Sequence, residues 1–169
     1  MLVTLSRGEW EFIFQQPDPP EHLTMTIAQL VYASEASKGT RVAIEDLLVS
    51  ARAKNKGLYV TGYLCFRSDR FLQVLEGTPA AVSALYACIA SDRRHSHVVL
   101  LGYEKVLKRR FSNWAMGYVA DFGAAHTALF DYSGGHEFEP HEMDHRSAIA
   151  FLSELAGGTA RRAALQEVE

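Results

Sequence analysis

Between residues 27 and 119 the chain alternates short apolar runs with segments of helical period, and that order leaves few folds open. Ile27–Ser34 (IAQLVYAS) reads as a strand, apolar on both faces near its end. Thr40 is placed to cap a helix whose buried stripe is Ile44, Leu47, Leu48 and Ala51, and Gly57 is placed to end it. Leu58–Phe66 and Arg70–Glu76 read as two strands joined by the tight Arg67-Ser68-Asp69 turn, an antiparallel hairpin. Thr78-Pro79 supplies a capping hydroxyl and then a ring that needs no amide hydrogen. A second helix starts there and buries Val82, Leu85, Tyr86 and Ile89. His97–Val106 follows as a strand and Ser112–Val119 as a fifth.

That order is β-α-β-β-α-β plus one strand, an α+β, ferredoxin-like arrangement with both helices on one sheet face. The strands LVYA and FLQVL carry apolar side chains on both faces, so the second face needs a cover as well. Residues 121–169 offer it: Ala124–Tyr132, and a helix over His145–Ala156 with Ile149, Leu152 and Leu155 apolar and Gly157-Gly158 to close it. Pro17, Pro19 and Pro20 break regular structure ahead of the first strand. The expected division is an N-terminal arm over 1–26, a central domain over 27–120 and a C-terminal helical extension over 121–169. A net charge of −3 argues against a broad grip on nucleic acid. The apolar runs are too short to span a bilayer, and no basic-then-apolar leader opens the chain, so a cytoplasmic location is expected. Cys65 and Cys88 lie in apolar segments and read as reduced, packed thiols.

Residues two apart on a strand share a face, so Tyr32 lies with Leu30, and Gln73 with Phe71 and Leu75. A buried primary amide without a partner costs about 1–3 kcal/mol, so Gln73 must find hydrogen bonds. The first and third strands of this topology are neighbours, which brings the Tyr32 phenol within reach. An amide exchanges donor and acceptor ends with almost no change of shape, which suits a switch. Taken singly, each residue has an ordinary reading. Tyr32 is then a core tyrosine, Gln73 bonds a neighbouring backbone, and Asn55 near Gly57 ends a helix. Arg93-Arg94-His95 becomes a solvated turn, and Trp114 and Met116 plain core on one strand face.

It is the ordered co-occurrence of several strings that goes further. Leu30-Val31-Tyr32-Ala33-Ser34 resembles the first strand of BLUF domains, with their photoactive tyrosine. Asn55 followed by Val60-Thr61-Gly62 resembles their flavin-contacting asparagine and next strand, and Phe71-Leu72-Gln73-Val74-Leu75-Glu76-Gly77 their most telling string. Asp92-Arg93-Arg94-His95, Arg109-Arg110-Phe111 and Trp114-Ala115-Met116-Gly117 are similar to the later motifs. The resemblance covers about residues 27–120 and is to the short, stand-alone type. It implies a blue-light photoreceptor holding a non-covalent flavin, FAD or alternatively FMN, between the two helices. Tyr32 would donate an electron and proton to the excited flavin, Gln73 would relay the proton and rearrange, and Asn55 would bond the polar edge of the ring. Arg94 and His95 fall at further flavin contacts. Lys54 stands where the family often has histidine or asparagine, and its cation would reach the ring from there. Trp114 and Met116, on the last strand beside the glutamine, would carry the signal outward.

Two rivals come from other classes. His141-Glu142-Met143-Asp144-His145 fits the H-E-x-x-H zinc-peptidase pattern, with Glu154 or Glu167 as candidate third ligands. Pro140 and Asp144 both mark helix starts there, which puts His141 outside the helix that begins near His145 and favours a polar loop with no metal. The other rival is a flavin-free ferredoxin-like interaction module. The 49 residues after the central domain are too few for a cyclase or phosphodiesterase, so no enzymatic activity is expected. Output is expected through a separate downstream signalling protein or a change in homo-oligomeric state, as a dimer or larger.

Overall fold

The computed structural model describes residues 26–39, 43–119, 132 and 137–166, with side chains as far as residue 158. Five strands, β1 (Ile27–Ala36), β2 (Thr61–Arg67), β3 (Arg70–Gly77), β4 (His95–Val106) and β5 (Gly117–Val119), form one sheet in the order β4-β1-β3-β2-β5. All neighbours are antiparallel except β2 and β5. This is the expected ferredoxin-like order, with a short parallel strand added beside β2. Helices α1 (Ile44–Gly57) and α2 (Pro79–Ser91) pack on one sheet face and α3 (His145–Gln166) on the other. No helix among the described residues is long and apolar enough to cross a membrane.

Local chemistry explains most boundaries. The β2–β3 turn places Ser68 and Asp69 at φ of 49° and 59°, the mirror-image turn whose twist suits a two-residue hairpin. Thr78 Oγ1 accepts the Ala81 amide at 3.3 Å and Pro79 opens α2, as expected from those two residues. At α1 the cap position is held by Ala43, which makes no side-chain bond, and Thr40 lies outside the described residues. Glu45 and Asp46 in the first turn, with Lys54 and Lys56 in the last, complement the helix dipole instead. Gly57 turns out to be helical. The left-handed residue is Tyr59, at φ 51°, and the Asn55 carbonyl takes the Val60 amide at 2.9 Å as the chain turns into β2. That turn delays β2 to Thr61, three residues later than the apolar run suggests.

Two cores sandwich the sheet. Under α1 and α2 lie Leu30, Tyr32, Leu48, Leu64, Phe71, Leu75, Val82 and Leu85. On the opposite face Val31, Tyr63, Leu72, Val74 and Phe111 meet Phe138, Met143, Phe151, Leu152 and Leu155. Each large apolar side chain so buried contributes roughly 1.5–3 kcal/mol, which docks α3 securely. Asp144 Oδ1 accepts the Ser147 amide at 2.8 Å and so caps α3. Gly157-Gly158 does not end the helix. Each glycine costs only about 1 kcal/mol against alanine, and the Thr159–Gln166 stretch (TARRAALQ) is rich in strong helix formers. Of Ala124–Tyr132 only Tyr132 is described, its ring centroid 6.2 Å from Phe151, and the arm over 1–26 lies outside the described residues save Thr26.

The fifth strand is much shorter than Ser112–Val119. The preceding backbone is engaged elsewhere: the Arg110 and Phe111 amides donate to the Glu76 carboxylate at 3.0 and 2.8 Å, and the Trp114 carbonyl takes the Gly62 amide at 3.1 Å. Residues 110–116 therefore form a loop, and strand parity does not apply to them. Trp114 and Met116 end on opposite faces of the sheet, not on one.

Candidate functional site

On the α1–α2 side, a cavity of about 490 Å³ opens over the sheet. Its walls are apolar, among them Leu47, Leu64, Phe71, Leu85 and Ile89. All six residues singled out from the sequence for cofactor contact line it: Tyr32, Lys54, Asn55, Gln73, Arg94 and His95. A volume of this order, apolar walls and a few convergent polar groups are the attributes of a small-molecule site.

The floor of the cavity is a cross-strand pair. Tyr32 on β1 stands directly opposite Gln73 on β3, and its hydroxyl donates to Gln73 Oε1. Burial, followed by the neighbouring Tyr86 and Asp92, pushes the Tyr32 phenol far above its ordinary pKa. The proton is therefore held on Oη. Gln73 Nε2 donates to Met116 Sδ at 3.2 Å. A thioether is a weak acceptor, so among the described residues this buried amide nitrogen has no oxygen or nitrogen partner. It keeps a donor available for a carbonyl or ring nitrogen placed in the cavity.

The rim is built from α1 and the start of β4. Asn55 Nδ2 donates to the Ala115 carbonyl at 2.7 Å, and Arg52 Nε to the Met116 carbonyl at 3.0 Å, so α1 fixes the loop that delivers Met116. His95 Nδ1 lies 2.8 Å from Ser34 Oγ, with its ring centroid 4.6 Å from that of Phe71. Burial lowers the His95 pKa, against the opposing pull of Asp92. Arg94 forks onto Asp92, Nε and Nη2 reaching Oδ2 at 3.0 and 2.6 Å. The hydrogen bond from Arg94 lowers the Asp92 carboxyl, and the same bond raises the guanidinium. Lys54 is on the wall.

Trp114 is elsewhere. Its ring meets Tyr63 edge-on at 5.4 Å on the α3 side of the sheet, away from Gln73. Ser34 is a participant that parity could have found, since it is two residues from Tyr32 and shares its face. Arg52 carries no sequence signal, Cys88 reads only as a packed thiol, and Asp92 and Glu76 stand within motifs without a role of their own, Glu76 proving to be the buried carboxylate that holds the 110–111 backbone. The H-E-x-x-H string is not a zinc helix. His141 sits in a separate one-turn 3-10 segment (Pro140–Glu142) with Nε2 on the His97 carbonyl, while His145 opens α3 with Nδ1 3.1 Å from Glu104. The two imidazoles share no helical turn, and of the candidate third ligands Glu154 lies on α3 and Glu167 outside the described residues.

The residues present therefore fit a flat heteroaromatic group with polar edges, and a flavin is such a group. Comparison with known proteins agrees. The chain is 33% identical over 91 residues to the blue light- and temperature-regulated antirepressor BluF of Escherichia coli, covering 53% of this chain and 23% of that protein. It is 30% identical over 93 residues to photoactivated adenylate cyclase subunit alpha of Euglena gracilis, covering 53% of this chain and 9% of that protein. The chain thus spans at most about a quarter of these curated relatives. Among solved structures, the photo-activated state of BlsA superposes with a TM-score of 0.70 at 28% identity, covering 76% of this chain and 94% of that one. The family described as "BLUF: Sensors of blue-light using FAD" matches residues 27–117, and with these strings, this sheet and this cavity the chain belongs to the BLUF family of flavin-based blue-light sensors.

Proposed function

We propose that Tyr32 and Gln73 are the photoactive pair of this sensor, that Asn55, Lys54, Arg94 and His95 hold its flavin, and that Met116 carries the response away. A bound flavin supplies the blue absorption and, once excited, an electron acceptor. Everything else follows from the chain's own groups. Because burial holds the phenolic proton so firmly, Tyr32 cannot ionise alone in the dark, and its proton leaves Oη only when an electron leaves the ring with it. The nearest acceptor for that proton is Gln73 Oε1. An amide protonated on oxygen can lose a proton from nitrogen or rotate, and either course exchanges its donor and acceptor ends. The bond to Met116 Sδ is then broken or remade, at low cost because the thioether is a weak acceptor. Tyr32, Gln73 and Met116 are buried, so little solvent competes for these bonds.

The observation that carries this reading is the buried Tyr32–Gln73–Met116 chain of hydrogen bonds on the floor of the cavity. We take residues 27–120 as the sensor and 121–169 as the extension that receives its signal. The adenylate cyclase and antirepressor in the names of its relatives favour output to an effector, here a downstream signalling protein or a second copy of the chain. The test is a light-minus-dark absorption spectrum. The parent should show a small, dark-reversible red shift of the flavin bands, while Tyr32→Phe and Gln73→Leu bind flavin and lose that shift. A variant that cycles like the parent would overturn the assignment of its residue.

A further inference from the structure

Glu35 near the end of β1, His97 near the start of β4 and His141 in the 3-10 turn before α3 converge at one place. One donor atom from each lies within 4.8 Å of the other two. His97 Nδ1 is 3.4 Å from Glu35 Oε1, and the His97 and His141 rings stack with centroids 4.4 Å apart and 10° between their planes. The backbone is distorted at this point. The β1–β4 register shifts between Ala33 and Glu35, and His97 adopts φ of 48°, a left-handed conformation that is uncommon outside glycine. Irregularities of this kind re-aim a side chain at the edge of a sheet, and they tend to cluster at ligand sites.

His141 Nε2 lies 2.9 Å from the His97 carbonyl oxygen, which can only accept, so Nε2 donates there and Nδ1 is the nitrogen left to ligate. Metal-binding histidines are oriented in this way, through a hydrogen bond from the far nitrogen to a carbonyl. We propose that Glu35, His97 and His141 form a binding site for a divalent transition cation, zinc foremost. Two imidazoles and one carboxylate leave a fourth tetrahedral position for water, and two nitrogen donors disfavour magnesium and calcium. Ligand bonds of about 2.0–2.2 Å put donor atoms about 3.4 Å apart, and because imidazole lone pairs lie in the ring plane, His97 must swing out of its stack with His141 for both to face one cation. The half-exposed Glu35 and exposed His97 side chains can make that movement without disturbing the core. A cation there ties the turn before α3 to β1 and β4, so its binding energy adds to the docking of the C-terminal helix. A metal here departs from the expectation of none and rests on residues whose sequence separation hid their meeting.

The test is a titration of the full chain with zinc chloride against a competing chelator, with excess magnesium present. One zinc per chain should bind and raise the melting temperature. His97→Asn keeps a residue that tolerates the left-handed backbone, and His141→Gln keeps the size of the side chain. Each should weaken binding at least about 10–100-fold, the loss that follows even from removing groups behind the ligands. His145→Gln, outside the cluster, should bind as the parent does. The proposal falls if the parent takes up no zinc at micromolar free metal. It falls equally if His97→Asn and His141→Gln bind like the parent, or if His145→Gln abolishes binding.

Discussion

Replacing Glu76 by alanine should destabilise the protein by about 3 kcal/mol, although this side chain does not line the cavity. The carboxylate is fully buried and accepts Gln29 Nε2 at 2.7 Å, the Arg110 amide at 3.0 Å and the Phe111 amide at 2.8 Å. Arg110 is exposed, so water can replace the carboxylate at its amide. Gln29 and Phe111 are buried and cannot recruit water, and each orphaned donor costs about 1–3 kcal/mol. The sum, roughly 2–6 kcal/mol, is lessened because the variant no longer desolvates a carboxylate, and we expect about 3 kcal/mol, in the lower half of that range. Against a typical domain stability of about 5–15 kcal/mol this is a large fraction, and urea unfolding with an unchanged m-value measures it directly. Glu76→Gln keeps one acceptor oxygen and should lose less. Amide exchange at Phe111 should accelerate in both variants. A loss under about 1 kcal/mol for the alanine variant would refute the reasoning. It would show that the loop is held by Arg109, which bonds Thr61 Oγ1 and the Tyr59 and Glu76 carbonyls, and by the buried Phe111 ring.

Two further expectations follow from the site. Because burial depresses His95 in the folded state, the unfolded chain binds its proton more readily, and His95 contributes stability at neutral pH that is lost in acid. The loss should begin as pH falls below the ordinary histidine value of about 6.5 and be complete below the lowered folded value. His95→Gln should flatten that part of the stability–pH curve, and an unchanged slope would refute the assignment. Trp114→Ala should cost about 1.5–3 kcal/mol by urea unfolding, less than a fully buried tryptophan, through its lost edge contact with Tyr63. It should leave the position of the light-induced shift intact, and abolition of the shift would show that Trp114 acts at Gln73 after all.

Much of this fold was legible because its signals are local. Thr78-Pro79 starts a helix by chemistry confined to four residues, and Ser68-Asp69 makes its turn without tertiary help. Period-two parity placed Tyr32 and Gln73 on the correct face, and the strand order then set them side by side. The errors came where distant groups compete for the backbone. Ser112–Val119 has the composition of a strand, but the Glu76 carboxylate holds the Arg110 and Phe111 amides just ahead of it and the Gly62 amide donates to the Trp114 carbonyl, both from far away in sequence, so its first half is a loop. Gly157-Gly158 looked like a terminator, yet the helix continues through it. Glu35, His97 and His141 meet only after a bulge and a 3-10 turn are in place, and no spacing rule links them.

The displaced fifth strand alters the account of how a change at Gln73 leaves the site. A single extended strand would put Trp114 and Met116 on one face, both beside the glutamine, and leave Asn113, Ala115, Gly117 and Val119 to face the far side. The loop instead threads the edge of the sheet. Met116 lies against Gln73 in the cavity-side core, whereas Phe111, Trp114 and Val119 belong to the core that α3 covers. Arg52 and Asn55 grip the Met116 and Ala115 carbonyls, so Met116 cannot shift without pulling on backbone that α1 holds. Gly117 adds a constraint, for a Cβ there would strike the Tyr63 ring that Trp114 packs against, so β2 and the loop are in direct contact on the α3 side. Interiors packed this closely shift between discrete arrangements and do not yield gradually. Met116, whose sulfur Gln73 would release for a new partner, is therefore two residues from Trp114 and three from Val119, both of which touch the opposite core. The sheet need not bend to pass the signal, because the loop around its edge already connects the two faces.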